Sequence, residues 1–219
     1  MKQKNECDIL IVGCGLAGIQ LSFDAIQRGL NVYHIHHSLP GESTKVAAGL
    51  INPITGRRFV KSWMIEDVMP FAEERYKNLG NFLGETFIER MNIVRAFTNP
   101  AAENSWLAKS DDPYLSQFML DHCTFKDSFD DRLEVPDLLG ELQQCFKIRL
   151  ERLQESYLNY LRKEGIFQEE KFDYESLDFS KPDSISYKHI NANHIVFAEG
   201  WKVLDNPFFQ NTGFSPAKG

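Results

Sequence analysis

An α/β fold built on a parallel strand-helix-strand unit is predicted by three observations. A short apolar run, Asp8-Ile9-Leu10-Ile11-Val12, leads straight into Gly13-Cys14-Gly15-Leu16-Ala17-Gly18. Ile19, Phe23 and Ile26 then recur at helical spacing and stop at Arg28-Gly29, a basic last turn and a C′ glycine. A second strand-like run follows over residues 31–36, closing a unit of the expected length.

A lone G-x-G-x-x-G marks many kinds of tight turn, but one that follows a strand and opens a helix is the fingerprint of a dinucleotide site. There Gly13 permits the sharp turn, Gly15 lets backbone approach a pyrophosphate, and Gly18 lets the helix pack closely. Leu16 and Ala17 place backbone N–H groups at the helix N-terminus, whose positive dipole end favours phosphate. The fold class is therefore α/β, with a Rossmann-like FAD- or NAD(P)-binding domain. An acidic residue that holds the ribose hydroxyls is expected at the end of the second strand. His36 and His37 stand there instead. An imidazole makes a single bond where a carboxylate accepts two, so a weaker or differently made ribose grip is expected.

The 219 residues suffice for a real core, as one large domain or two small ones. With 42% hydrophobic and 25% charged residues the chain reads as globular, and a formal charge of −7 with scattered Lys and Arg gives no footprint for nucleic acid or anionic membrane. Neither partner is expected. Residues 1–6 are polar and the first apolar run is too short for a secretory segment or a membrane span. Cys7, Cys14, Cys123 and Cys145 lack C-x-x-C spacing and disulfide density, which predicts a reducing cytoplasm.

Along the rest of the chain, residues 41–58 are rich in Gly, Ala, Ser and Thr and read as extended backbone laid against a ligand. Residues 63–80 read as a helix with Met64, Val68, Ala72, Tyr76 and Leu79 on one face, Pro70 kinking it or in its first turn, and Gly80 as its stop. A strand is predicted over 87–97, and Asn99-Pro100 as N-cap and N1 of a helix through Lys109. Residues 111–140 read as irregular and acidic. A helix over 150–164 carries Leu150, Leu153, Tyr157, Leu158 and Leu161 on one side, with Gly165 after it. Strands are predicted near 167–172, which ends in Phe172, around 185–190 and at 194–198. This order predicts a nucleotide domain made of residues 1–60 and 150–219. Residues 61–149 form an inserted helical and β lobe, a partial substrate domain.

Three pieces together resemble the FAD-dependent oxidoreductases of the D-amino-acid oxidase and glycine oxidase family. The first is residues 8–36 with the Gly13, Gly15, Gly18 fingerprint. The second, more specific, is Ser43-Thr44-Lys45-Val46-Ala47-Ala48-Gly49-Leu50-Ile51-Asn52-Pro53. It is similar to that family's small-residue stretch along the pyrophosphate and flavin ring. The third is Ile195-Val196-Phe197-Ala198-Glu199-Gly200, similar to the strand and glycine that close the site. The resemblance implies FAD held by Gly13, Gly15, Leu16, Ala17, Gly18, His36, His37, Ser43, Thr44, Ala47, Ala48, Gly49, Leu50, Phe172, Ala198 and Gly200. Ser43 and Thr44 hydroxyls can bond phosphate oxygens, while small side chains at 47–49 let amides reach a flat ring. Some relatives place a histidine at Val46 for a covalent flavin bond, so the FAD is expected to be non-covalent. The family continues beyond a segment like Pro216-Ala217-Lys218-Gly219 with strands carrying a substrate-binding arginine, so the chain is expected to lack that C-terminal part.

The resemblance implies oxidation of the C–N bond of a small amine or amino acid, with hydride transfer to flavin and reoxidation by oxygen. Arg57 and Arg58 are the basic pair nearest the expected ring, able to hold a substrate carboxylate, and read equally as solvent-facing arginines. Two further readings stay open, a nicotinamide-dependent enzyme and a flavin-binding protein or fragment without catalysis. The oxidase half of a transfer-RNA-modifying enzyme is disfavoured by the negative charge. His34 and His36 share a strand face but lack a third ligand, so no metal is expected. Trp63, Trp106 and Trp201 read as core or lobe-contact residues. Cys14 reads as a small residue that fits, or as a thiol acidified by the helix N-terminus. Asp111-Asp112 and the Asp127 to Asp131 cluster read as solvated loop charge.

Overall fold

The computed structural model describes residues 5–97, 99–124, 139–181 and 183–215. The Asp127 to Asp131 cluster and Pro216 to Gly219 lie outside the described residues. By its contacts the chain divides into two units, Met1–Ala47 with Leu150–Gly219, and Ala48–Arg149.

The first unit is a mixed sheet. Its parallel part starts with β1 (Asn5–Val12), α1 (Leu16–Gln27) and β2 (Val32–His36). After α2 (Ser43–Val46) the chain leaves the unit and returns through α5 (Leu150–Lys163) into β9 (Phe167–Glu169). It ends with an antiparallel meander, β10 (Leu177–Lys181), β11 (Ser184–Tyr187) and β12 (Ile190–Phe197). The strand order is β10-β11-β12-β1-β2-β9, in which β12, β1, β2 and β9 are mutually parallel. The last strand thus pairs with the first, from Asn5 with Ile190 to Val12 with Phe197.

Strands β1 and β2 lie inside the sheet, and Leu10, Ile11 and Val12 of β1 and all of β2 are buried as in strands covered on both faces, with His34 and His36 among them. On one side Ile11, Ala25 and Val32 form a small cluster. On the other, Leu10, Val12, Tyr33 and Ile35 join an aromatic group in which Phe172 stacks on Tyr187 at 4.5 Å. Helix α5 presents Leu150, Leu153, Gln154, Tyr157, Leu158 and Leu161 to the interior, and Tyr157 Oη donates to Ser22 Oγ of α1 at 2.8 Å. Gly165, with φ +72°, ends α5 as its spacing predicts.

The second unit holds a sheet in the order β3-β8-β6, with β7 also paired to β8. Its members are β3 (Leu50–Ile51), β6 (Ile88–Ala96), β7 (Met119–Leu120) and β8 (Leu139–Ile148). A hairpin of β4 (Ile54–Thr55) and β5 (Val60–Lys61), α3 (Ile65–Leu83) and α4 (Pro100–Ser110) complete it. Asn99 Oδ1 accepts from Ala102 N at 2.9 Å with Pro100 in the first turn, the cap expected of that pair. The core centres on Trp106, with Phe59 and Phe97 rings at 5.1 and 5.3 Å. The indole N–H donates to the Leu120 carbonyl at 2.8 Å.

Several expectations need correction. Helix α3 runs past Gly80 to Leu83 and stops at Gly84, whose φ is +72°. Gly80 serves packing, because a Cβ there would meet the Glu85 carbonyl oxygen at 2.5 Å. The buried face of α3 is Ile65, Met69, Glu73, Tyr76, Leu79 and Gly80, about one residue out of phase with the expected stripe, and Met64 and Val68 are exposed. Glu73 takes its place on that face by accepting from Arg90 Nε and Nη2 at 2.9 and 2.7 Å and from Lys77 at 2.7 Å. These bonds, Arg90 first, hold its carboxyl below the usual range. Of the two places expected for Pro70, the structure has the one inside the helix, past its first turn.

Residues 139–148, read partly as irregular, form the central strand β8. Residues 48–60 have their contacts in the second unit, because Leu50 and Ile51 pair with Lys147 and Phe146. Trp63 is 83% exposed and Trp201 44%, so only Trp106 of the three is a core residue.

A Cβ added at Gly140 would lie 2.2 Å from the Trp106 ring. Gly140→Ala is therefore expected to destabilise the second unit by about 1–3 kcal/mol through overpacking. A lowered urea midpoint followed by tryptophan fluorescence would register it.

Candidate dinucleotide site

The site is built from the first unit, where β1 ends and α1 begins. Gly13 has φ +106°, and its N–H donates to the Ile35 carbonyl at 2.8 Å. A Cβ at Gly13 would lie 2.3 Å from the Ala198 carbonyl oxygen, and one at Gly18 would lie 2.3 Å from the Gly13 carbonyl oxygen. The turn is thus pressed between the end of β12 and the first turn of α1, a fit only glycine allows. Ala198 N donates to Val12 O at 2.7 Å and so extends the parallel pairing up to the turn.

The first turn of α1 presents its backbone donors at this point. Leu16 N–H donates to Thr44 Oγ1 at 3.0 Å. The N–H groups of Gly15, Ala17 and Gly18 find no acceptor among the described residues. Gly15 faces Thr44, whose Oγ1 would be 3.2 Å from a Cβ at that position. Amides, a hydroxyl and a helix dipole around a turn kept open by Gly13, Gly15 and Gly18 suit a pyrophosphate. The chemistry present therefore fits the phosphate part of a dinucleotide.

His36, in the place of the expected acid, is buried and turned toward the glycine turn, where its Nδ1 accepts from Cys14 N–H at 3.3 Å. Its Nε2 lies 3.5 Å from Glu42 Oε1. Burial is the main cause that lowers its pKa, opposed by Glu42. His37 is exposed. Cys14 is buried and its thiol is pushed up to about 12, first by burial and then by Glu42, so the acidified-thiol reading is overturned. His34 is fully buried, neither ring nitrogen finds a partner of normal geometry among the described residues, and burial followed by His36 pushes it down to about 3 against the opposing Gly13 backbone. Among the described residues no group of side chains gathers as a metal would need.

The stretch expected to be extended instead starts with a helical turn, α2, in which Thr44 is buried while Ser43, Val46 and Ala47 are exposed. Ala48, Gly49 and Leu50 belong to the second unit. There Gly49 has φ +70° and approaches Ile148 so closely that a Cβ would lie 2.0 Å from its carbonyl oxygen. Arg57 and Arg58 are exposed in the turn of the β4-β5 hairpin, where Lys109 Nζ holds the Arg58 and Phe59 carbonyls. Phe172 is a core residue of the first unit. Gly200, with φ +59°, starts a 3-10 turn after β12, and Glu199 accepts from Tyr174 Oη at 2.6 Å and Asn206 Nδ2 at 2.7 Å.

Sequence reasoning missed Glu42 and Gln154. Glu42 Oε1 accepts from Leu39 N at 2.6 Å, and Gln154 Nε2 donates both to the Cys14 carbonyl at 2.8 Å and to Glu42 Oε2 at 3.1 Å. Gln154 was detectable as the one polar residue on the buried stripe of α5.

The fold is mixed α/β, with a parallel strand-helix-strand core that turns at Gly13. No family model matches the chain. Among solved structures it is similar to glycine oxidase from Geobacillus kaustophilus, at 13% identity and a TM-score of 0.68, covering 96% of this chain and 59% of that one. L-amino acid deaminase from Proteus vulgaris is similar at 16% identity and a TM-score of 0.62, over 96% of this chain and 51% of that one. Glycine oxidase from Bacillus cereus ATCC 14579 shares 20% identity at a TM-score of 0.62, over 91% of this chain and 57% of that one. These likenesses are of fold, and the chain spans a little over half the length of each. Among the described residues no helix is long and apolar enough to cross a membrane.

Two outcomes follow. Thr44→Val removes the acceptor for Leu16 N–H and is expected to cost about 1 kcal/mol, as loss of a helix cap does, read by thermal unfolding. For His34, folded and unfolded chains are both neutral above the ordinary histidine value near 6.5. As pH falls from there toward about 3 only the unfolded chain takes up the proton. Stability is then lost by about 1.4 kcal/mol per pH unit. His34→Phe should reduce the slope of urea midpoint against pH between 7 and 4, and an unchanged slope would contradict the assignment.

Proposed function

We propose that this chain binds FAD non-covalently and is an oxidoreductase acting on the C–N bond of an amino acid or related small amine. The observation that carries the reading is the glycine turn at 13–18, closed by Ala198, which admits no side chain at Gly13 or Gly18 and presents helix N-terminal amides. Gly13, Gly15, Leu16, Ala17, Gly18, Ser43 and Thr44 would hold the pyrophosphate. Ala47, Ala48, Gly49 and Leu50 would face the flavin end, as the family resemblance implies. FAD is preferred over a nicotinamide on that small-residue stretch. The substrate class is supported by fold-level likeness to proteins described as amino acid oxidases and a deaminase.

The chemistry a bound flavin supplies is two-electron oxidation of a C–N bond, with oxygen as the final acceptor. The chain's own part is to bind and orient, and Arg57 or Arg58 would take the substrate carboxylate. Val46 carries no nucleophilic group for attachment to the ring.

The visible spectrum of the purified chain, taken before and after anaerobic addition of amino acids, tests this reading. Flavin bands that bleach with one amino acid support it, and flavin that never bleaches supports binding without catalysis. A protein that takes up no FAD would refute the cofactor. Acid precipitation should release all the flavin into the supernatant, and Gly15→Val should abolish uptake, since its side chain would crowd Thr44 and the pyrophosphate path.

A further inference from the structure

The backbone of Cys14 is held from both sides by buried side chains of the first unit. Its N–H donates to His36 Nδ1 at 3.3 Å, and the Cys14 carbonyl accepts from Gln154 Nε2 at 2.8 Å. The same Gln154 nitrogen donates to Glu42 Oε2 at 3.1 Å, and Glu42 Oε1 faces His36 Nε2 at 3.5 Å. His36 is buried, and Gln154 is fully so. Because Nδ1 accepts from a backbone N–H, neutral His36 must carry its proton on Nε2, which lies near the Glu42 carboxylate without a hydrogen bond of normal geometry.

The carbonyl of Cys14 and the N–H of Gly15 belong to one peptide unit. A trans peptide is planar, so its C=O and N–H point in opposite directions. A carbonyl fixed on Gln154 therefore fixes the direction of the Gly15 N–H. That N–H finds no acceptor among the described residues, and it lies at the turn that fits a pyrophosphate.

We propose that Gln154 is a positioning residue for dinucleotide binding, aiming the Gly15 N–H at the pyrophosphate, with Glu42 and His36 also holding the turn. This role rests on the dinucleotide reading and deepens it. The histidine that displaces the ribose-binding acid is then part of the phosphate site, and the Cys14 N–H sets its tautomer. Gln154 comes from a helix more than a hundred residues away in sequence, so the turn acquires its geometry only when α5 has docked.

The test is calorimetric titration of the full chain with FAD, ADP and AMP, for the wild type and for Gln154→Met. ADP carries the pyrophosphate and AMP does not. Losing one aimed hydrogen bond to a charged group should weaken ADP and FAD by roughly tenfold. AMP should change little, so the preference for ADP over AMP falls by the same factor. A purely structural role would lower both affinities alike and leave that preference unchanged, which would overturn the proposal.

Wild-type protein that binds neither FAD nor ADP would overturn the dinucleotide reading and this role with it. Normal binding with an unchanged preference in the variant would overturn this role alone. Should Gln154→Met not fold, the nitrogen-15 spectrum of the His36 ring in the wild type decides. Protonated Nε2 with unprotonated Nδ1 is expected, and the opposite tautomer would break the hold of His36 on Cys14.

Discussion

Gly13 sits where the first strand, the first helix and the last strand come within contact distance of one another. Its left-handed backbone turns β1 into α1, its carbonyl is covered by Gly18, and its α-carbon faces the Ala198 carbonyl. A methyl group at Gly13 or Gly18 would lie 2.3 Å from a carbonyl oxygen, so strand end and helix start would have to separate by roughly 0.7 Å, since carbon-to-oxygen contacts shorter than ~3 Å are not sustained. The helix N-terminus would then no longer abut the edge of the sheet where β1 and β12 finish. The parallel register, the position of the helix dipole and the exposed amides all follow from that one close approach.

The side chains around the turn exchange one kind of ligand recognition for another. A carboxylate at the end of β2 would present two acceptors outward to a sugar. The imidazole of His36 is instead turned inward and spends its acceptor on backbone, while the negative charge arrives six residues later on Glu42. Such an arrangement puts several polar atoms out of reach of water, where a satisfied network is rigid and a broken one is costly. The Nε2 of His36 and the Oε1 of Gln154 are the places where satisfaction is incomplete.

Much of the first unit was legible in the residues. The apolar run, the glycines and the 3.6-residue stripe of α1 are local signals that tertiary packing reinforces, and the same holds for α5 with Gly165 and for Asn99-Pro100 at α4. What was hidden depended on partners. Gly140 and the polar residues of β8 look like loop until they are seen between β3 and β6, with Trp106 filling the space above Gly140. Gly80 reads as a helix stop because glycine usually is one, yet here Glu85 needs its missing side chain. The phase of α3 was misplaced because Glu73, a charged residue, occupies the inner face through Arg90. His36 was recognised as anomalous. Its orientation was not predictable, since Glu42 and Gln154 decide it from elsewhere in the chain.

The pairing of the first strand with the last has a consequence for biosynthesis. β2 follows β1 within a few tens of residues, but the other edge of β1 is completed only by β12, whose register begins at Ile190. At about 5–20 residues per second that edge stays open for roughly 10–40 s while the intervening chain is made. An unpaired apolar strand edge exposed for so long is a template for wrong pairing.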